Sequence, residues 1–265
     1  RRWWMPLIPA KKAKERNVLK KYLPLVFRLL VIAGSIWGLI ALVAGFLQAP
    51  YPSNLAVVEA YLASAFFTLL LFLTRRWWLD VLAGKGILAA SLAGIFCALV
   101  VETVSWGTQM MAGATANVTS TNYMLNLLIT MPWYIGLVVM YARVQERRRF
   151  PVPLLLVLGG LYKSLLIGIL NATTASILMG DQVSLVNSWW WMIRIGFWQY
   201  IPIYSSIMLV PAWILETRPA VPSPKNFKPA WLDAIRPAFW LFPYALYWLV
   251  YSLLPALFSI PITGG

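Results

Sequence analysis

The sequence predicts an all-α, polytopic transmembrane helical bundle of about seven spans, N-terminus cytoplasmic and C-terminus outside. Three observations predict it: an apolar composition too rich for a water-facing surface, seven hydrophobic runs of bilayer length, and positive charges confined to alternate connections. Of the 265 residues, 61% are hydrophobic and 11% charged, against about 45–50% and about 25% in a soluble domain. Mean hydropathy is +0.73. So few charges cannot form a shell over so large an apolar mass, and lipid must solvate most of the surface.

A bilayer core about 30 Å thick is crossed by roughly 20 apolar residues of helix. Runs near 23–48, 54–74, 80–106, 123–143, 151–179, 186–214 and 236–260 meet that length. They form one transmembrane domain over 23–265, preceded by a basic, Trp-containing arm over 1–22 that suits an anionic headgroup surface. In the first run, Gly34 and Gly38 form a GxxxG pair that fits a close helix contact inside the bundle. The third is long enough to tilt or protrude. The sixth and seventh contain Pro202, Pro211, Pro237, Pro243 and Pro255, which predict kinks. The segment 216–235, with four prolines, reads as a stiff linker.

All but two of the 22 Lys and Arg fall in the arm, at the start of span one, or in or flanking the connections after span two, after span four and between spans six and seven. The intervening connections 49–53, 107–122 and 180–185 carry none. The positive-inside rule then places the N-terminus in the cytoplasm. This topology belongs to a multi-pass protein of the cell inner or plasma membrane. The polar loop 107–122 falls outside, as a candidate lid, and contains the glycosylation acceptor sequence Asn117-Val118-Thr119.

The two exceptions are Lys163 and Arg194. At 1.5 Å per residue, Lys163 lies about 18 Å from the inner edge of span five and Arg194 about 12 Å from the outer edge of span six. They share one depth, slightly outside the midplane. An ionised side chain there costs about 2.5–3.5 kcal/mol, so such residues face the bundle interior and take partners. Glu59 of span two and Glu102 of span three supply negative charge in the same outer half. Gly86, Ala90, Gly94 and Ala98 recur every four residues, and Glu102 is the next member of that series. Small residues at this spacing mark a packed face, so Glu102 projects into the bundle. Gly160, Ser164, Gly168, Asn171 and Ala175 make a similar stripe beside Lys163. Trp190, Trp191 and Trp198 lie three or four residues from Arg194 and can stack on its guanidinium. Asn126, Gln199, Tyr200 and Tyr204 add neutral hydrogen-bonding groups.

The bland reading of these charges is a set of ion pairs pinning helices together. The functional reading is an outward-opening polar pocket that binds or translocates an anionic or amphiphilic, lipid-like ligand. Lys163, Arg194, Trp190, Trp191, Trp198, Asn126, Asn171, Gln199 and Tyr204 would bind it. Two alternatives are a metal-free acid–base enzyme acting on a polyprenoid or lipid, with Glu102 or Glu59 as proton donor, and a structural subunit of a larger membrane complex with partner subunits on its polar faces. The chain has no histidine and one cysteine, Cys97. Imidazole-ligated metals, His-ligated haem, Ser-His-Asp chemistry and an intrachain disulfide are therefore excluded. No nucleotide motif or magnesium-diphosphate spacing is present, so neither cofactor nor metal is expected. The expected partners are membrane lipids and the small ligand. The net charge of +14 is explained by membrane sidedness, without nucleic acid.

Overall fold

The computed structural model describes residues 25, 29, 32–48, 50–115, 119–162, 197–218, 233–234 and 236–237. Among them the protein is helical throughout, without strands. In chain order the helices are α1 (Ile32–Gln48), α2 (Pro52–Leu73), α3 (Arg75–Leu82), α4 (Ile87–Met111), α5 (Tyr123–Arg148), α6 (Val152–Leu161) and α7 (Phe197–Glu216).

Local chemistry sets the ends. Pro52 opens α2 in the first turn, where its missing N–H costs nothing. The Asn122 side chain caps α5 by accepting from Leu125 N at 3.1 Å. At the far end of α5, Arg149 takes the left-handed conformation at φ 52°, which closes the helix. The Gln145 amide secures that turn by pairing with both Phe150 N and Phe150 O at 3.0 Å.

Among the described residues, three helices are long and apolar enough to cross a membrane: Asn54–Leu73, Ile87–Met111 and Tyr123–Arg148. Their outward faces carry Leu62, Phe66, Leu69 and Leu73 on α2, Leu88, Leu92 and Phe96 on α4, and Leu128 and Ile135 on α5, all exposed. Contiguous apolar surface of this extent is foreign to a water-soluble monomer and is compatible with a lipid-facing bundle.

The boundaries differ from the sequence expectation in three places. The third run does not begin at 80. A turn at 83–86 separates the short α3 from α4, because Gly84 adopts a left-handed φ of 73° that only glycine takes freely. At its other end α4 runs on to Met111, so the first residues of the expected loop 107–122 are helical. Thr108 Oγ1 donates to Ser105 O and Gln109 Nε2 to Ser105 Oγ, which lets these polar residues stay in the helix. Helix α5 continues past 143 to Arg148, since Arg, Gln and Glu are good helix formers. The arm 1–22, most of the linker 216–235, Asn117, Val118, and most of the runs near 151–179 and 236–260 lie outside the described residues.

The core is organised around α7, which packs against α2, α3, α4, α5 and α6. Ile207, Met208, Leu209, Val210, Ala212, Trp213, Ile214 and Leu215 are all buried. A helix buried on every side is the centre of a bundle rather than its edge. Helix α4 reaches it through the small-residue face: Ala90 and Ala98 are fully buried and Gly94 is buried. A Cβ on Gly94 would lie 2.7 Å from Val138 Cγ1, 2.8 Å from Pro211 Cγ and 3.2 Å from Ile207 O. Pro211 has no N–H to give Ile207 O, so Gly94 of α4 packs on α7 where its ladder lacks a donor. On the other flank, Thr68 Oγ1 of α2 donates to Pro202 O at 2.8 Å.

Helix α1 is attached through Leu42, which clusters with Val58 and Tyr61 of α2. Tyr61 OH also donates to Ser35 O at 2.6 Å. The Trp198 ring fills the notch at Gly34, where a Cβ would come within 2.1 Å or less of ring carbons. Gly34 thus serves a contact inside the bundle.

Candidate functional site: a polar seam through α4, α5 and α7

The two ends of the bundle are chemically different. At one end, α4 and α5 meet through neutral groups and one carboxylate. Trp106 Nε1 donates to Ser120 O at 3.0 Å, and Thr103 Oγ1 lies 2.6 Å from Tyr123 OH. One turn deeper, Asn126 Nδ2 donates to Glu102 Oε1 at 2.7 Å. Asn126 is buried and Glu102 half-buried. The series of small residues on α4 therefore does place Glu102 on the packed face, opposite α5.

Asn126, Thr130 and Tyr134 follow one another every four residues on α5 and share its buried face. Thr130 Oγ1 donates back to Asn126 O at 2.8 Å. Tyr134 is buried within electrostatic reach of both Glu102 and Tyr204. Its ring lies nearly parallel to Tyr204, with centroids 6.3 Å apart and planes at 22°. Trp133 packs on Tyr134 and Tyr204 at 3.9 and 6.0 Å. Tyr200 meets Tyr204 edge-on at 6.2 Å. Three helices thus contribute one continuous seam: the Glu102 carboxylate, the Asn126 amide, and hydroxyls and rings from Tyr134, Tyr204 and Tyr200.

A hydrogen bond to a charged group contributes about 1.5–3 kcal/mol in a protein, but side-chain hydrogen bonds within membranes average only about 0.6 kcal/mol. An ionised side chain at the centre of a membrane helix costs about 2.5–3.5 kcal/mol. At the membrane average of about 0.6 kcal/mol per bond, one amide and one phenol offset part of that cost.

Of the expected site residues, the structure brings together Glu102, Asn126 and Tyr204. It adds Trp133 and Tyr134, which the sequence reading passed over. The signal was present: Tyr134 is eight residues from Asn126, two steps of the same four-residue repeat. Trp198 packs into the notch at Gly34 of α1. Glu59 is half-buried on α2 and makes no hydrogen bond or ion pair to another described residue. Gln199 lies in the first turn of α7. Lys163, Arg194, Trp190, Trp191 and Asn171 lie outside the described residues.

The other end is a web of ions. Arg148 Nη2 and Nε lie 2.6 and 2.7 Å from Asp233 Oδ2, and Arg236 Nη1 lies 3.6 Å from Asp233 Oδ1. Arg218 pairs with Glu146 at 3.1 Å and Arg75 with Glu216 at 3.9 Å. The Arg75 guanidinium also sits 5.3 Å from the Trp213 ring centroid. Arg149 donates to Leu215 O and Arg218 O, putting a cation on the carbonyls at the end of α7, where the helix dipole is negative. Tyr162 OH donates to Ala234 O.

Among the described residues, no group of His, Cys, Asp and Glu is arranged to hold a metal ion. Compared with known proteins, the chain matches no family model, no curated protein and no solved structure.

Proposed function

We propose that the protein is a multi-pass membrane protein whose outer half holds a polar pocket for an anionic or amphiphilic, lipid-like ligand, which it binds or translocates. The observation that carries the reading is the Glu102–Asn126 pair on the packed face between α4 and α5, extended by Tyr134 and Tyr204. An ionisable side chain within a membrane span is a functional candidate. Lys163 and Arg194, which the sequence places at one shared depth in spans five and six, supply the cations for an anionic headgroup. The aromatic rings suit an apolar or ring-bearing body. Seven spans with the charged end in the cytoplasm put this seam in the outer half.

The test is to purify the full chain in mild detergent and extract its bound small molecules for mass spectrometry. Lys163→Ala and Arg194→Ala variants are treated alike, each checked for helical content and monodispersity. The expected result is an anionic or amphiphilic compound held by the wild type and reduced at least about tenfold in both variants, the loss of about 1.4 kcal/mol. The same bound molecules in all three proteins would leave the charges as structural ion pairs. If Glu102→Gln keeps the bound compound but stops its chemical turnover, the acid–base enzyme is the better reading.

A further inference from the structure

All the described Lys and Arg residues lie at the ion-web end of the bundle or in the last two turns of α5 leading to it. The acids there, Glu146, Glu216 and Asp233, pair with Arg218, Arg75, Arg148 and Arg236, and Arg149 is spent on carbonyls of α7. Four cations remain: Arg76 on α3, Lys85 in the turn before α4, and Arg143 and Arg147 on α5. All four are exposed, and none has an ion pair to a described residue. Among the described residues, the remaining acid at this end is Asp80, also exposed.

Arg143 and Arg147 are four residues apart and share one face of α5. Helix α3 has no fully buried residue. Trp78, Leu79 and Leu82 pack on the core, while Trp77 is 57% exposed. Bracketing α3, Leu73 of α2 and Leu88 of α4 are exposed at the ends of two bilayer-length helices. An apolar band ends where unneutralised cations and a tryptophan begin, which is the chemistry of a headgroup boundary.

We infer that Arg76, Lys85, Arg143 and Arg147 form a collar that binds anionic phospholipid headgroups, with Trp77 seated at the same boundary. The inference rests on the membrane reading and is independent of the Glu102 seam. Juxtamembrane cations each favour an anionic surface by about 1 kcal/mol, roughly fivefold, and the attraction falls as salt shortens the screening length.

The test uses the full chain equilibrated in mixed micelles holding equal phosphatidylglycerol and phosphatidylcholine, with the retained lipid quantified by mass spectrometry. Wild type is expected to retain phosphatidylglycerol at least about threefold over phosphatidylcholine, less at high salt, and unchanged when inorganic phosphate replaces chloride at constant ionic strength. The fourfold variant Arg76→Gln/Lys85→Gln/Arg143→Gln/Arg147→Gln is expected to fall to near parity. Arg75→Gln, whose cation is already paired, is expected to keep the preference. If the fourfold variant does not fold, Arg76→Gln/Lys85→Gln and Arg143→Gln/Arg147→Gln are each expected to lose about half of it. Retained preference in the fourfold variant or in both pairs, wild type holding lipid without preference, or displacement by inorganic phosphate overturns the collar. A chain that retains no lipid at all overturns the membrane reading itself, which separates the two failures.

Discussion

Asn126 Nδ2 lies 2.7 Å from Glu102 Oε1, joining α5 to α4 one turn below the loop that connects them. The bond is short, as expected when the acceptor is a carboxylate, and one of its partners is almost fully buried. Its strength is measurable by a double-mutant cycle on Glu102→Gln and Asn126→Ala, read as unfolding in mixed detergent micelles. We predict a coupling of about 0.6–1.7 kcal/mol. A coupling indistinguishable from zero would mean the pair does not persist in the membrane-embedded protein.

The approach of α4 to α7 depends on the absence of a side chain at 94. Gly94→Ala puts a methyl group against Val138, Pro211 and the Ile207 carbonyl and is expected to cost about 1–3 kcal/mol, the usual cost of overpacking. Gly94→Val should cost more and lower the yield of monodisperse protein. Thermal unfolding of the three proteins, side by side, checks the order.

Trp198 and Gly34 make a reciprocal pair. Gly34→Leu collides with the Trp198 ring and should destabilise the attachment of α1. The clash is relieved if the ring is removed, so Gly34→Leu/Trp198→Ala is expected to lose less than the sum of the two single losses. Additive losses in the same unfolding assay would show that the two residues are not in contact.

At the charged end the ion pairs should differ in worth. Side chains of Arg148 and Asp233 are 18% and 10% exposed, against 48% and 38% for Arg75 and Glu216. Asp233→Ala leaves a largely buried guanidinium without its carboxylate and should cost about 3 kcal/mol. Glu216→Ala breaks a longer, exposed pair and should cost at most about 1 kcal/mol. Comparable losses for the two would contradict the burial of Asp233.

Sequence periodicity captured what depends on side-chain size and polarity along one helix. The small-residue face of α4 is legible because close helix approach requires residues such as Ala90, Gly94 and Ala98 at regular spacing. From that face the direction of Glu102 followed. Hydropathy could not separate α3 from α4, because Leu79, Val81, Leu82 and Ala83 are as apolar as the span they precede. The break lies in Gly84 and its positive φ, a conformational signal rather than a hydropathic one. Nor could it find the end of α4, because Thr108 Oγ1 and Gln109 Nε2 bond back to Ser105 within the helix. Tyr134 was overlooked for a third reason. Its role depends on α7 bringing Tyr204 against it, a tertiary relationship that no single-helix pattern contains. The partnership of Arg148 with Asp233 is of the same kind, since 85 residues of chain separate them.

The central claim is that the seam beginning at Glu102 and Asn126 is a ligand site in a membrane-embedded bundle. It is tested most directly by an experimental density map of the full chain in a lipid nanodisc, resolved well enough to show side chains and bound lipids. The account predicts non-protein density within contact distance of the Glu102, Tyr134 and Tyr204 seam, with Lys163 and Arg194 facing it. A dry core, with Glu102 closed by direct contact to Lys163 or Arg194 at about 2.7–2.9 Å, would contradict it.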